Sequence, residues 1–354
     1  MRQYMRVLLG LCLGGALAFA ADVAWRPAPV AHAAEVSKNP AHAAGAPSAC
    51  KDEDGDGYGL GCALGPDCND WDGAIHPGQR ERCNFRDDDC DGAVDDAPEC
   101  RAPAPDESRV RVPTGAFLMG SLPGEGAADE RPRHTVAVGS FELDRHEVTV
   151  RRYRVCEQAG ACTPPALRSS HRRERYYDEP RYLDYPVIFV GWHQAAAFCR
   201  WAGGRLPTEA QWEKAARGPA PSVAAFPWGS EPADCSRANM GGPGSCVGDT
   251  DLVGRRPLGA SAYGALDLAG NVWEWVADWY DPGYYERSPA ADPRGPGAGR
   301  LKVMRGGCWQ SGADTLRVSC RKAELPTAWG YNVGFRCAYP LSIPPKGGIG
   351  GGRS

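Results

Sequence analysis

The chain has 354 residues, a formal net charge of −4 and 24% charged side chains, a composition typical of one or two globular domains. The near-neutral charge lacks the positive excess of a nucleic-acid-binding protein, and a mean hydropathy of −0.44 excludes a multispan membrane protein. Fifteen cysteines, 45 glycines and 31 prolines indicate a loop-rich, disulfide-linked chain made for an oxidising compartment.

The N-terminus has the pattern of a secretory signal peptide. A basic start at residues 1–6 precedes an apolar stretch of 14 residues from Val7 to Ala20, and small residues permit cleavage after Ala20 or after Ala33. The alternative is an uncleaved anchor, but 14 residues are short for a span. We therefore predict a secreted protein, periplasmic or extracellular, with no membrane span in the mature chain. Loss of Cys12 with the signal leaves 14 cysteines, an even number suited to full pairing.

Composition divides the remaining chain into two modules joined by linkers. Residues 34–49 and 101–108 are interpreted as linkers, and the Gly-rich residues 341–354 as a disordered tail. Residues 50–100 hold six cysteines and 15 Asp and Glu against 4 Lys and Arg, a net charge of −11. This small module has too few apolar residues to be stabilised by burial, so we expect disulfides and bound cations to stabilise it. Residues 109–340 form a large domain.

The small module contains a calcium-type loop. In the string Asp52-x-Asp54-x-Asp56-Gly57, carboxylates stand on alternate residues and the glycine permits the sharp turn that wraps them around one hard cation. It is not an EF-hand, because Ala63 stands where the closing acid would be and no helix pattern flanks the loop. A solvated acidic linker is the plain alternative. A zinc site would use the cysteines as thiolates, which an oxidising compartment disfavours.

Helix and strand signals in the large domain are few. Apolar spacing and capping residues predict helices at Val150 to Gln158, Trp192 to Ala202 and Thr208 to Arg217, the last opened by a capping box. Short β-rich runs predict strands at Gly115 to Met119, Thr135 to Val138, Phe141 to Asp144, Leu301 to Arg305 and Gly334 to Ala338. Helices and strands mixed with much loop indicate an α+β domain.

Five short strings follow one another along the small module. They are Asp52 to Gly59, Asp67 to Asp70, His76 to Gly78, Glu81 to Asn84 and Asp87 to Gly92. Together they resemble a metal-binding repeat of secreted bacterial proteins, and a surface-associated copper-binding protein carries similar repeats. The resemblance implies cation binding and a surface or extracellular location, and it implies no reaction.

The strings of the large domain are more distinctive. They are Val112 to Gly120, Glu130 to Thr135, Phe141 to Thr149, Arg205 to Glu213, Asp267 to Trp275, Arg305 to Gly307 and Gly334 to Ala338. In this order they resemble the formylglycine-generating-enzyme (sulfatase-modifying-factor) family, whose superfamily includes ergothioneine-biosynthesis sulfoxide synthases and a periplasmic pyoverdine-maturation enzyme. The resemblance implies a C-type-lectin-like α+β fold with much irregular structure.

The resemblance also implies structural calcium. At one site Asp267 and Glu274 would supply side-chain oxygens while Gly270 and Val272 supply backbone carbonyls, an oxygen-only set suited to Ca²⁺. Asp267 replaces the family's asparagine, which adds charge and should not weaken the site.

A second calcium site of the family carries over less completely. Asn239 and Met240 match its pattern. The aspartate of that site has no aligned counterpart, unless Asp249 reaches in.

The catalytic positions depart from the family pattern. The family enzymes bind Cu(I) through two cysteines, a soft two-thiolate set that leaves room for a substrate thiol and oxygen. Those positions fall near Ser311 and Leu316, so the usual copper mechanism cannot operate. The seven histidines also lack the clustered spacing that the sulfoxide synthases use for iron. We therefore predict no catalytic residue.

The remaining cysteines are expected to form disulfides. By resemblance Cys320 is a structural cysteine whose partner is Cys199. Cys308 replaces a family serine, and the family's partner for Cys337 is here Ala216, so we expect Cys308 to pair with Cys337. The alternative is a lone Cys308 thiol acting as nucleophile or metal ligand. Local pairs are then expected between Cys156 and Cys162 and between Cys235 and Cys246.

Two functions from different classes follow. The first is a secreted calcium-binding protein whose large domain, without the copper cysteines, serves as a binding or accessory module for a protein, peptide or glycan. The second is a divergent oxidoreductase of the same superfamily that uses copper or iron on a protein or peptide substrate. A third hypothesis, a purely structural surface protein, is weaker, because one module would suffice for that role.

Overall fold

The computed structural model describes residues 50–80, 87–92, 108–242 and 245–341. The predicted signal peptide, the linker at 34–49, nearly all of the linker at 101–108 and nearly all of the tail lie outside these ranges. So do Cys83 and Cys100 of the small module. Within the described ranges, no helix is both long and apolar enough to cross a bilayer.

Three α-helices lie in the described part of the large domain, where the sequence predicts them: α1 at Val150–Gln158, α2 at Trp192–Trp201 and α3 at Glu209–Arg217. The predicted capping box closes at the start of α3. The Thr208 hydroxyl accepts a hydrogen bond from the Gln211 backbone N–H at 3.1 Å, and Gln211 Oε1 accepts one from the Thr208 N–H at 3.0 Å. These bonds satisfy two of the backbone donors that a helix start leaves unpaired.

Short strands form three small sheets in the described residues. The strands are β1 (Arg109–Val112), β2 (Gly115–Met119), β3 (His134–Val138), β4 (Phe141–Asp144), β5 (Trp273–Trp279), β6 (Lys302–Arg305), β7 (Lys322–Glu324), β8 (Val333–Phe335) and β9 (Ala338–Tyr339). One sheet has the order β1-β4-β9, a hairpin joins β2 to β3, and the third has the order β7-β6-β5-β8. Only β5 and β8 run parallel within these sheets.

The strand at Gly334 to Ala338 was predicted as one element and forms two. Phe335 pairs with Trp275 in the four-stranded sheet, whereas Ala338 pairs with Leu143 in the three-stranded sheet. The chain must therefore change sheets between them. The sequence did not predict β1, β5 or β7, and β5 was missed because its first four residues are all buried and show no alternation. The α+β class with much irregular structure is confirmed.

The core of the large domain packs helices against the sheets. One cluster joins α1 and α2 to β5 and β8 and includes Tyr153, Phe198 and Phe335. A second joins α3 to β1–β4 and centres on Trp212, which is fully buried. Burial of this much aromatic and aliphatic surface is the main stabilising term for the domain.

A buried network of ion pairs ties α3 to β6. Arg305 is fully buried, and its guanidinium donates to Glu209 at 3.1 Å and to Glu213 at 2.5 Å. Arg321 also pairs with Glu209 at 2.7 Å, and Arg217 pairs with Glu213 at 2.8 Å. Every carboxylate in this network faces a guanidinium, which is the condition for burying charge at tolerable cost.

The small module is organised differently. Its described residues form no helix and no extended strand, and Ile75 is the one apolar side chain among them that is fully enclosed. Disulfides join Cys50 to Cys62 and Cys68 to Cys90. Cross-links and polar turns therefore replace the apolar core here, as its composition predicts.

Candidate functional site

The loop after β6 occupies the position where the resembled enzymes hold copper. Gly306 and Gly307 take positive φ angles of 92° and 75°. A Cβ at Gly307 would lie 2.6 Å from Leu316 Cδ2, so only glycine lets the loop close on this leucine. Leu316 is fully buried beside Phe226, and the Ser311 hydroxyl accepts a hydrogen bond from the Cys308 N–H at 3.0 Å. Neither predicted position offers a soft metal ligand.

The predicted disulfide between Cys308 and Cys337 is wrong. Cys308 is a free thiol and is buried, with 3% of its surface exposed. Its Sγ lies 3.5 Å from Ser311 Oγ and accepts a contact from Asn332 Nδ2 at 3.5 Å. The expected full pairing of the cysteines therefore fails at this residue.

Cys337 instead pairs with Cys199, so the expected pair of Cys199 with Cys320 is also wrong. The cause is the strand pairing that follows α2. Arg205 exchanges backbone hydrogen bonds with Ala338 at 2.9 and 2.7 Å, which brings the end of α2 beside Cys337. The two Cα atoms lie 5.5 Å apart, within disulfide reach. Cys320 is disulfide-bonded as well, although not to Cys199.

The two local disulfides are confirmed. Cys156 and Cys162 are joined with Cα atoms 5.3 Å apart, and Cys235 and Cys246 with Cα atoms 5.4 Å apart. Each closes a short loop, so each restricts the unfolded chain modestly.

Two polar groups near Cys308 lack a hydrogen-bond partner: one belongs to the next residue in the chain, and the other comes from β7. The Lys322 ammonium and the Trp309 indole N–H are both shielded from solvent and donate to nothing. Burial lowers the pKa of Lys322, and the Cys308 thiol opposes that shift. The Lys322 ammonium lies 5.3 Å from the centre of the Trp273 ring, a cation–π contact that offsets part of the cost of shielding it from water.

An aromatic cluster lies next to this loop. Trp309 contacts His171 and Tyr331, with ring centroids 5.1 and 5.8 Å apart. Phe189 continues the cluster to Trp329 at 5.8 Å, and it holds a positive φ of 59° that a bulky residue rarely adopts. Trp329 is 39% exposed. The cluster thus presents aromatic surface to solvent beside the loop that follows β6, whose counterpart holds copper in the resembled enzymes.

Around Asp267, where the sequence predicts a calcium site, the backbone is tightly constrained. Asp267 is buried, has a φ of 55°, and accepts a hydrogen bond from the Gly254 N–H at 2.6 Å through one oxygen. A Cβ at Gly270 would lie 2.3 Å from the Asn239 carbonyl oxygen, so this tight cradle requires glycine. Burial raises the pKa of Asp267.

The Glu274 side chain does not fit the role that the sequence assigned to it. Arg336 donates to both of its oxygens, at 2.8 and 2.7 Å, and the Trp212 indole donates at 2.8 Å. Sequence reasoning missed Glu147, which is fully buried and whose two carboxylate oxygens both lack a partner. The available signal was an acid placed directly before the run Val148 to Val150, whose residues are all buried.

At the second predicted calcium site, Asn239 Oδ1 is buried and without a partner. Asp249 does not reach it, because its carboxylate accepts from Ser170 Oγ at 2.5 Å and from the Arg172 N–H at 3.0 Å. The Asn239 Nδ2 donates to the Asp249 backbone carbonyl instead, at 2.9 Å. Asp251 is linked to Asn239 through a shared acceptor, because the Asp251 N–H and Asn239 Nδ2 both donate to Asn271 Oδ1. Met240 is partly buried.

In the small module, the structure brings together the three predicted carboxylates. Oxygens of Asp52, Asp54 and Asp56 lie within 4.8 Å of one another. Asp54 and Asp56 each keep one shielded oxygen without a partner, and so do Asp67 and Asp70 from the following loop. Burial raises the pKa of Asp54, Asp67 and Asp70. Orphan carboxylate oxygens that crowd together are the donor set of a hard cation such as Ca²⁺.

A second loop of the module repeats the geometry of the first. In the first, Asp52 accepts from the Gly57 N–H at 2.9 Å, and in the second Asp87 accepts from the Gly92 N–H at 3.0 Å. Both glycines have a φ of 94°. Oxygens of the second set, Asp87, Asp89 and Asp91, also lie within 4.8 Å of one another. The two loops share one design, although the sequence pattern predicted only a further acidic string at Asp87 to Gly92.

Comparisons with known proteins agree with this division. Residues 95–341 match the family model of the sulfatase-modifying factor enzyme 1-like domain. Residues 67–96 match the model of a metal-binding motif of the copper-binding MopE type.

Similar curated proteins include enzymes. The formylglycine-generating enzyme of Streptomyces coelicolor is 34% identical over 294 residues, which cover 70% of this chain and 93% of the enzyme. The hercynine oxygenase of Mycolicibacterium smegmatis is 34% identical over 66% of this chain and 61% of the oxygenase. The serine/threonine-protein kinase pkn1 of Chlamydia pneumoniae is 41% identical over 65% of this chain, and the match spans 37% of the kinase.

Solved structures share the fold. The structure of PvdO from Pseudomonas aeruginosa is 28% identical with a TM-score of 0.56, over 66% of this chain and 94% of PvdO. Treponema denticola variable protein 1 has a TM-score of 0.52 at 22% identity, over 66% of this chain and 95% of that protein, a likeness of fold alone.

Proposed function

The chain belongs to the sulfatase-modifying factor enzyme 1-like family, and from that premise we propose that it is a secreted, calcium-binding accessory protein. Its large domain would hold a peptide, protein or glycan without carrying out the copper chemistry of the formylglycine-generating enzymes. Ca²⁺ would neutralise buried and clustered carboxylates in both modules and fix the loops that bear them.

One observation carries the accessory role. The two positions of the copper ligands are occupied by Ser311, whose hydroxyl is bonded to backbone, and by Leu316, which is part of the core. Neither oxygen nor a methyl group binds Cu(I) as a thiolate does. The aromatic cluster around Trp309 and Trp329 supplies a surface on which a ligand could stack.

The test offers the mature protein oxygen, copper and a fluorescent peptide that carries Cys-x-Pro-x-Arg. Mass spectrometry follows conversion of the cysteine, and fluorescence anisotropy follows binding. We expect an unchanged peptide mass, and for a peptide ligand a rise in anisotropy that Trp329→Ala weakens. Gain of an aldehyde with loss of the thiol would overturn the accessory role.

A second candidate, a divergent metal-dependent oxidoreductase, is favoured by the free Cys308 thiol and by its neighbour Lys322, whose ammonium has no hydrogen-bond partner. A thiol can hold copper or iron where a serine cannot. We would load the protein with Cu(I) and with Fe(II), remove excess metal and measure what remains. Retention of about one ion per chain that Cys308→Ala abolishes, but Lys322→Met does not, supports this candidate. Equal metal content in the wild type and Cys308→Ala removes it.

A further inference from the structure

We propose that a cavity at the start of α3 binds a small oxyanion, either free or as the charged end group of a larger ligand. The cavity has a volume of about 270 Å³. It is lined by the first turn of α3, the turn between β3 and β4, the end of β9 and the segment that carries Asp292 and Arg294. It contains no predicted metal ligand, so anion binding here does not depend on the proposed calcium binding.

Two guanidinium groups that line the cavity have no acidic partner among the described residues. They belong to Arg205 and Arg294. Arg205 donates to Gln211 Oε1 at 3.3 Å, and the Arg294 side chain has no hydrogen bond within the described part of the chain. A guanidinium has five N–H donors in a planar fork that fits carboxylate and phosphate oxygens. Most of these donors are therefore open to a ligand.

Asp292 is the one acid among the described residues that line the cavity. Its Oδ1 accepts a hydrogen bond from the Gly139 N–H at 2.9 Å, in the turn between β3 and β4. Burial and the Arg294 charge lower the pKa of Arg205, whereas the Asp292 charge raises it. One carboxylate against two guanidinium groups leaves the lining with one excess positive charge, which a bound anion would compensate.

Gln211 gives the cavity a buried donor of fixed orientation. The residue is 6% exposed, and its Oε1 accepts both the Thr208 N–H at 3.0 Å and Arg205 Nη2 at 3.3 Å. These two bonds identify the oxygen, and the amide nitrogen has no acceptor within the described ranges. A nearly buried amide donor costs free energy unless a ligand or water accepts from it. Because Gln211 lines the cavity, an anion there can accept from this nitrogen.

The backbone that carries the two arginines is held by hydrogen bonds between chain segments. Arg205 exchanges backbone hydrogen bonds with Ala338 at 2.9 and 2.7 Å. Two residues before Arg294, the Asp292 N–H donates to the Ala137 carbonyl of β3 at 2.8 Å. Ligand binding then has to order two side chains and no backbone, which lowers its entropic cost.

The size and the remaining lining of the cavity limit the ligand. A water molecule takes about 30 Å³ in the liquid, so a volume of about 270 Å³ has room for an oxyanion with several further non-hydrogen atoms. Phe141 and Tyr339 also line the cavity, each 2% exposed, and offer apolar contact to the uncharged part of a ligand. A small organic acid, or a single sugar that carries a carboxylate, sulfate or phosphate group, matches this lining.

The experiment titrates the full mature chain with sodium sulfate at constant ionic strength, with binding followed by calorimetry and by the shift in Tm. Arg294→Gln removes a guanidinium that bonds to no described residue, so this variant should fold as the wild type does. It should bind sulfate at least about tenfold more weakly, because a charged hydrogen-bond donor is lost. Arg300→Gln is the matched control, because Arg300 is also exposed and lies outside the cavity. Its affinity should change by less than about twofold.

Inorganic phosphate and glucuronate are titrated in the same way. Tighter binding of glucuronate than of both inorganic ions would show that the anion enters as the end group of a larger ligand, and equal binding that the oxyanion alone is recognised; both support the site. No binding of any of the three, or equal losses in Arg294→Gln and Arg300→Gln, overturns it. Wild-type crystals soaked in selenate give a check that needs no variant: anomalous density between Arg205 and Arg294 supports the site, and its absence overturns it.

Discussion

The small module and the large domain place their carboxylates in opposite surroundings. In the large domain, buried acids such as Glu209 and Glu213 face guanidinium groups. In the module, Asp54, Asp56 and Asp67 face one another, and each keeps an oxygen without a partner. The comparison teaches that the charge of the groups around a cluster of acids, more than the number of acids, decides whether the cluster needs a bound cation.

The site at Asp267 departs from this pattern inside the large domain. There Glu147 and Asp267 are buried without a bonded base, as in the module. The large domain therefore contains ion pairs in which each acid has a bonded guanidinium, and around Asp267 it contains buried acids that have none. The predictions below separate these two kinds of cluster.

The largest effect is expected from Arg305→Leu in the buried network. Removing this guanidinium leaves Glu209 with Arg321 and Glu213 with Arg217 but takes away their shared partner. Breaking a buried ion pair by removing one partner typically costs about 3–5 kcal/mol, and here the two carboxylates would keep only part of their compensating charge. We expect the free energy of unfolding of the large domain, measured by guanidinium denaturation with tryptophan fluorescence, to fall by that amount.

The control for this change is an ion pair at the surface. Arg168 pairs with Asp178, and its side chain is 51% exposed. Arg168→Leu should lower the free energy of unfolding by less than about 1 kcal/mol, because water screens the pair. Equal losses in the two variants would contradict the role of burial.

The pair of Glu130 with Arg317 should make stability depend on acidity. Burial alone would raise the pKa of Glu130, but hydrogen bonds and charge from Arg317 lower it to about 2. The folded state thus favours the carboxylate, so the stabilisation is complete above the unfolded pKa near 4.5 and is lost as pH falls towards 2. The shift corresponds to about 3 kcal/mol.

Glu130→Gln tests this pH dependence. Urea unfolding of both proteins between about pH 7 and pH 2 should show a gap that is constant at neutral pH and closes below about pH 4.5. A gap that stays constant down to the lowest pH would show that the carboxylate charge does not stabilise the fold.

In the module, Asp54→Asn should weaken cation binding without affecting the large domain. The substitution removes a charge from a site built of facing carboxylates, so calcium affinity should fall by about tenfold or more. Calorimetric titration measures the affinity, and the unfolding transition of the large domain should not move. Glu53→Gln removes a charge from an exposed neighbour and is the control; an equal loss of affinity there would indicate diffuse attraction in place of a site.

The smallest effect is expected at the start of α3. Thr208→Ala removes the hydroxyl that accepts from the Gln211 N–H, and loss of such a cap costs about 1 kcal/mol. Thr208→Ser keeps the hydroxyl and should retain nearly all of the stability. Both values come from the same denaturation experiment, and a full loss in the serine variant would assign the effect to the methyl group.

Local features of this protein followed from its sequence. Helices α1 and α3 begin where Thr149 and Thr208 provide caps, because capping depends on neighbours three residues away. The triad Asp52, Asp54 and Asp56 converges because the turn at Gly57, directly after Asp56, needs no distant partner. The disulfide between Cys156 and Cys162 is likewise local.

Features that depend on distant residues were decided by the tertiary structure. The pairing of Arg205 with Ala338 brings Cys199 to Cys337 and leaves Cys308 free, and no local pattern encodes which sheet a cysteine joins. Arg336 pairs with Glu274, 62 residues away, and so occupies a predicted calcium ligand, whereas the Glu147 carboxylate has no hydrogen-bond partner. Sequence sets which chemical groups a segment carries, whereas a group's partners, and hence its charge balance, depend on long-range packing that a single chain segment does not contain.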